Sequence, residues 1–135
     1  MTEPTYTVSF WLRKILVPID GSENSFRALD LAIDFAMRYG SQISIIHVCE
    51  ECNEQAIKEK VEKRVNGRVD YEFKIIKYSS KESSISNEIL RFLSENSYDA
   101  VILGARGLSI NSDINIGSIA LSISVNAPTT VILVR

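Results

Sequence analysis

The sequence predicts one α/β domain built on a doubly wound, five-stranded parallel sheet in the order 3-2-1-4-5. Three observations carry that prediction. Short apolar runs alternate along the chain with segments of helical period, the pattern of right-handed βαβ crossovers with helices on both faces of a sheet. The chain has 135 residues, enough for one core. Apolar residues make up 45% and charged residues 24%, the mix of an ordinary globular protein. In this strand order the switch point lies between strands 1 and 4, so the turns that follow those two strands share one crevice.

The elements follow in order. Residues 1–12 mix polar and aromatic side chains, Phe10 and Trp11 among them, and form an N-terminal arm ahead of a domain at residues 13–135. Arg13–Ile19 holds the run Ile-Leu-Val-Pro-Ile, a buried strand ended by Pro18. Asp20-Gly-Ser22 is a turn, and Ser22 is a good N-cap for a helix carrying Phe26, Leu29, Ile33, Ala36 and Met37 at helical spacing. Gly40 stops that helix, and Gln42–Val48 is the second buried strand. Residues 53–65 form a weaker helix with Ile57, Val61 and Val65 on one face, ended by Asn66-Gly67. Tyr71–Tyr78 is the third strand. Ser84–Asn96 is a helix striped by Ile85, Ile89, Phe92 and Leu93, and Asp99–Leu103 is the fourth strand.

The next segment pulls two ways. Ile119, Leu121, Ile123 and Val125 alternate with smaller or polar residues, which is a strand signal. A parallel neighbour for the last strand, Thr129–Val134, nevertheless needs a crossover, and Asn126-Ala-Pro128 suits a helix exit. A helix after Ser118 is therefore expected.

Charge and targeting signals narrow the partners. Fifteen basic and seventeen acidic residues leave a formal charge of −2. The densest cluster, Lys58–Arg64, mixes both signs and reads as a solvated helix face, with Glu54–Lys58 and Glu59–Lys63 at supportive spacing. No basic stripe points to nucleic acid. No run approaches the ~18 apolar residues of a membrane span. The N-terminus lacks a signal-peptide pattern, and two cysteines do not suggest a disulfide-built secreted fold, so a cytoplasmic protein is expected.

The chemistry-bearing positions gather at the switch point. Gly104-Ala-Arg-Gly107 follows a buried strand, where a glycine turn lets backbone approach an anion. Alone, such a pair reads first as a tight βα turn. Gly117 is followed by the hydroxyl of Ser118 at an expected helix start, and the intervening Leu108–Ile116 loop is polar and long for a βα connection. These features favour a phosphate site. The segment is neither a Walker A loop nor a Gly-x-Gly-x-x-Gly fingerprint.

Val17-Pro18-Ile19-Asp20-Gly21-Ser22 together with Gly104-x₂-Gly107-x₉-Gly117-Ser118 resembles the universal stress protein family, and the resemblance covers residues 13–135. His47-Val48 ends strand 2, where that family often has the same pair. The resemblance implies a flavodoxin-like, adenine nucleotide α hydrolase-like sandwich, and its full glycine motif implies binding of ATP or a related adenine nucleotide, ADP or AMP. Carried over by position, Pro18, Ile19 and the backbone of Val48 would wall the adenine, and Asp20 would face the ribose or adenine. Backbone N–H groups at Gly104–Gly107 and Gly117-Ser118 would hold the phosphates, with the Ser118 hydroxyl adding a donor. Arg106 either adds charge to the phosphates or points to solvent. Asp20 competes with a second role as a turn cap, and the two roles can coexist. Mg²⁺ would help neutralise a triphosphate, although no carboxylate cluster marks a dedicated metal site.

Two departures from the family stand out. The connection from Cys49 to Asp70 is short, which opens the adenine side, and Ala120 replaces a residue that is often hydroxylated in nucleotide-binding relatives.

Cys49-Glu-Glu-Cys52 invites a redox reading, but acidic neighbours disfavour thiolate, and one pair supplies only two of four structural zinc ligands. Two ordinary cysteines are expected. His47, the sole histidine, is expected to be structural. No general base is evident, so catalysis is expected to be at most slow ATP hydrolysis. The last strand is an apolar sheet edge, and family relatives commonly dimerise through it; a homodimer through Thr130–Val134 is expected, unless the arm covers an edge. The functional expectation is an ATP-binding stress-response sensor or switch. The alternative is a dimeric interaction or chaperone-like module that binds no nucleotide.

Overall fold

The computed structural model of the chain describes residues 12–106 and 116–135. The arm at residues 1–11, Gly107 and nearly all of the Leu108–Ile116 loop lie outside the described residues. The elements are β1 (Lys14–Pro18), α1 (Glu23–Tyr39), β2 (Gln42–Cys49), α2 (Glu54–Val65), β3 (Tyr71–Lys77), α3 (Ile85–Glu95), β4 (Ala100–Gly104), α4 (Ser118–Asn126) and β5 (Thr130–Val134). The strands form one sheet in the order β3-β2-β1-β4-β5, and every pairing is parallel. The predicted doubly wound α/β architecture is the one observed.

Side-chain alternation along each strand divides the core in two. Ile15, Val17, Ile43, Ile45, Ala100 and Ile102 face α1 and α2, where they meet Leu29, Ile33, Val61 and Val65. Leu16, Ile46, Val48, Val101 and Leu103 face α3 and α4, where they meet Ile89, Leu93, Ala120 and Ile123. The central strand β1 is fully buried from Ile15 to Val17, which is why its sequence is continuously apolar instead of alternating.

Caps set the helix limits. Ser22, Asn53 and Ser84 each accept a hydrogen bond from a first-turn N–H, from Ser25, Ala56 and Asn87 respectively. Asp99 lies just outside β4 and has a separate task. Its carboxylate Oδ2 accepts from the N–H groups of Arg13 and Lys14, each at 2.9 Å, and so ties the start of β1 to the start of β4.

The segment after Ser118 is helical, and its packing accounts for the alternation in its sequence. Ile119 and Ile123, four residues apart, turn inward with Ala120. Leu121 and Val125, also four apart, turn outward and are 52% and 74% exposed. Two apolar stripes on opposite sides of one helix read in sequence like one face of a strand. Among the described residues, no helix is long and apolar enough to cross a membrane.

Candidate functional site

The site is built at the C-terminal ends of β1 and β4, on either side of the switch point. Ile19 continues β1 by donating its N–H to the Ile46 carbonyl at 2.9 Å. The chain then turns sharply at Gly21, whose φ of +90° is strained for a residue with a side chain. Asp20 supports that turn, since its Oδ1 accepts from Ser22 N at 2.8 Å. Ser22 Oγ accepts from Ser25 N at 3.1 Å, and Ser25 Oγ donates to the Ser22 carbonyl at 2.8 Å. The turn-capping role weighed for Asp20 is therefore present, and it uses one of the two carboxylate oxygens.

The exit of β4 is held by a residue that sequence reasoning missed. Asn24, in the first turn of α1, accepts at Oδ1 from Arg106 N at 2.7 Å and donates from Nδ2 to the Val134 carbonyl at 3.0 Å. Gly104 runs so close to this helix that a β-carbon there would fall within 3.0 Å of three Asn24 atoms. Its lack of a side chain is thus required by the packing of α1 against β4. The only available signal for Asn24 was a polar residue two places after an N-cap at the switch point.

The backbone donors are distributed differently from the expectation. Ala105 N donates to the Val134 carbonyl at 2.7 Å, and Gly117 N donates to the Ala105 carbonyl at 2.6 Å. With Arg106 N bound to Asn24, these three N–H groups are already engaged inside the fold. The open donors lie one step further on. Gly117 is the N-cap of α4 and offers no side-chain bond, so the N–H groups of Ser118, Ile119 and Ala120 have no intrahelical acceptor. They carry the positive end of the α4 dipole. Gly107 lies outside the described residues.

These segments enclose a cavity of about 260 Å³. Pro18, Ile19, Asp20, Val48, Gly104, Arg106, Gly117 and Ser118 all line it, so every candidate residue within the described chain is brought to one place. Ile85 and Ile89 of α3, with Leu103, complete an apolar wall, and Ser25 adds a hydroxyl. A larger depression of about 860 Å³ lies at the opposite ends of the strands, around Gln42, Arg68 and Tyr71, remote from both glycine segments. The switch-point cavity is the more enclosed of the two and combines apolar walls with convergent polar groups, which is the composition of a small-molecule site.

At the end of β2 the cysteines depart from expectation. Cys49 and Cys52 are joined in a disulfide and are not two separate thiols. The β2 strand places Cys49 and the short loop before α2 places Cys52, with Cα atoms 6.0 Å apart. His47 Nδ1 donates to the Ile19 carbonyl at 2.8 Å, linking β2 to the cavity turn as a structural histidine would. Next to the pair, Glu50 accepts from both the N–H and the hydroxyl of Ser80, and those bonds hold its carboxyl below the usual range.

Comparison with known proteins places this geometry. The model of the universal stress protein family matches residues 12–135. Universal stress protein YxiE of Bacillus subtilis (strain 168) is 26% identical over 145 residues, covering 90% of this chain and 98% of that protein. Among solved structures, universal stress protein UspA from Lactobacillus plantarum superposes with a TM-score of 0.77 at 18% identity, covering 92% of this chain and 98% of its own. A universal stress protein crystallised in complex with cAMP superposes with a TM-score of 0.71 at 22% identity, covering 91% and 96%.

Proposed function

The chain belongs to the universal stress protein family, and on that premise we propose that it binds an adenine nucleotide, ATP foremost, and serves as a cytoplasmic stress-response sensor or switch. One observation carries the reading. Residues from the two ends of the sequence converge on a single cavity with an apolar slot on one side and an open helix N-terminus on the other. Pro18, Ile19 and Val48 suit an adenine face, and the second oxygen of Asp20 suits a ribose hydroxyl. The first-turn N–H groups of α4 and the Ser118 hydroxyl suit phosphate. The cAMP complex of a structural neighbour supports the choice of an adenine nucleotide.

The cavity, at about 260 Å³, is just below the usual range of about 300–1,000 Å³ for small-molecule sites. It suits the base and ribose, with the phosphates reaching out along α4. ATP would bring Mg²⁺ on its own phosphates. Asp20 is the only carboxylate lining the cavity among the described residues, and half of it is committed to Ser22.

Calorimetry with ATP, ADP and AMP on wild type and on Gly117→Val tests the assignment. Binding by wild type and its loss in the variant are expected; equal affinity in both would reject the phosphate site. Native mass spectrometry of freshly purified protein should also show an adenylate mass.

A second reading, a dimeric interaction module without nucleotide, is favoured by the apolar surface of Leu121, Val125 and Leu133. Both readings include a homodimer through the β5 edge. Clean apo protein with no ATP-induced thermal shift would select the second.

A further inference from the structure

We propose that His47, Cys49 and Cys52 form a three-ligand Zn²⁺ site once the Cys49–Cys52 disulfide is reduced. One ligand atom from each residue lies within 4.8 Å of the others. The grouping has a structural cause. His47 and Cys49 are two residues apart on β2, so both side chains leave the same face of the sheet. Cys52 returns to them in the loop just before the α2 N-cap, Asn53. The sequence spacing alone offered a dithiol; the strand supplies the third ligand.

The hydrogen bond of the histidine leaves one ring nitrogen for a metal. A carbonyl oxygen can only accept, so the hydrogen bond to Ile19 places a proton on Nδ1. In the neutral ring Nε2 then keeps its lone pair. A ligating imidazole that donates its other N–H to a backbone carbonyl is the usual outer-shell arrangement, and it fixes both tautomer and ring angle.

Two sulfurs and one imidazole nitrogen select Zn²⁺ over the oxygen-seeking Mg²⁺ and Ca²⁺. Glu50 and Glu51, which disfavour free thiolate, favour a cation at the same place. Cys49 is buried while Cys52 is partly exposed, so the ion has a way in from solvent, and water from that side would be the fourth ligand.

The chemistry balances simply. A phosphine reductant opens the disulfide: the two sulfurs gain two electrons and two protons, and the phosphine leaves as its oxide with oxygen from water. Zn²⁺ then replaces both thiol protons, which pass to solvent.

The test uses the full chain, reduced with a phosphine, freed of it without air, and titrated with Co²⁺ as an absorbing substitute for Zn²⁺. One Co²⁺ per chain with a thiolate-to-metal charge-transfer band is expected, and Zn²⁺, which has no d-electron geometric preference to lose at a tetrahedral thiolate site, should displace it. His47→Gln removes the nitrogen ligand and should weaken Co²⁺ at least about tenfold, since even loss of an outer-shell partner commonly costs that much. Cys52→Ser should remove most of the band. Oxidised wild type, folded and unsubstituted, should take up no Co²⁺ and controls for any variant that fails to fold. A reduced wild type without the band, an unchanged affinity in His47→Gln, or equal binding by the oxidised chain would each overturn the site.

Discussion

Gly104 passes directly against Asn24: a β-carbon on residue 104 would lie 2.8 Å from Asn24 Oδ1 and 2.9 Å from the Asn24 carbonyl carbon. The backbone carbon belongs to a helix turn and cannot swing aside as a flexible side chain would. Gly104→Ala is therefore expected to destabilise the fold by about 1–3 kcal/mol, the usual cost of overpacking. Urea unfolding without nucleotide measures it. A glycine kept only for phosphate would show no such cost in the apo protein.

Asn24 itself joins α1, the β4 exit and the end of β5 through one amide. Asn24→Ala takes the acceptor from the Arg106 N–H and one of two donors from the Val134 carbonyl, which keeps the Ala105 N–H, at a cost of about 1–3 kcal/mol. Asn24→Asp separates the two bonds. It keeps an acceptor for Arg106 but sets a carboxylate against the Val134 carbonyl, so it should be no milder than alanine. Thermal melts of the two variants decide the order.

The strand order and the convergence of the two turns were legible in the sequence because they follow from periodicity and from the handedness of crossovers. Asn24 was not, because its bond to Arg106 spans 82 residues and local pattern records nothing of such a contact. The engagement of the Ala105 and Gly117 N–H groups was hidden for the same reason; it takes those two out of the expected set of anion donors and leaves the Ser118 N–H, with Gly107 outside the described residues. At α4 both apolar stripes were visible, but only packing against α3 and the sheet shows that Ile123 is buried while Val125 is not. The Cys49–Cys52 spacing was plain, yet spacing alone does not tell a bonded pair from two separate thiols.

An acid-sensitive link joins the helices on one face. Arg64 of α2 binds Glu23 and Asp30 of α1, each at 2.8 Å. Its hydrogen bond holds the Glu23 carboxyl below the usual range, and the two acids raise the guanidinium further above its own. A carboxyl depressed in the folded state stabilises above its unfolded value and loses that contribution as pH falls through the folded one. Wild type should therefore exceed Arg64→Met in melting temperature at neutral pH, and the gap should close below about pH 4. Glu23 is exposed, so the gap should also shrink in high salt. Melts across pH at two salt concentrations check both statements.

Among the described residues β5 pairs with β4 on one side only, and its other backbone edge has no strand beside it. Leu133 is 36% exposed and follows Val131 by two residues, so it lies on the sheet face that α4 covers. On the same face α4 turns Leu121 and Val125 outward. An open edge and exposed apolar side chains on one face make a surface that a second copy of the chain can cover about a two-fold axis. Wild type should sediment as a dimer. Leu133→Lys and Val125→Lys should each shift it to monomer, because both place a charge in the apolar contact without touching the buried core. Dimers that persist in both variants would move the interface away from this edge.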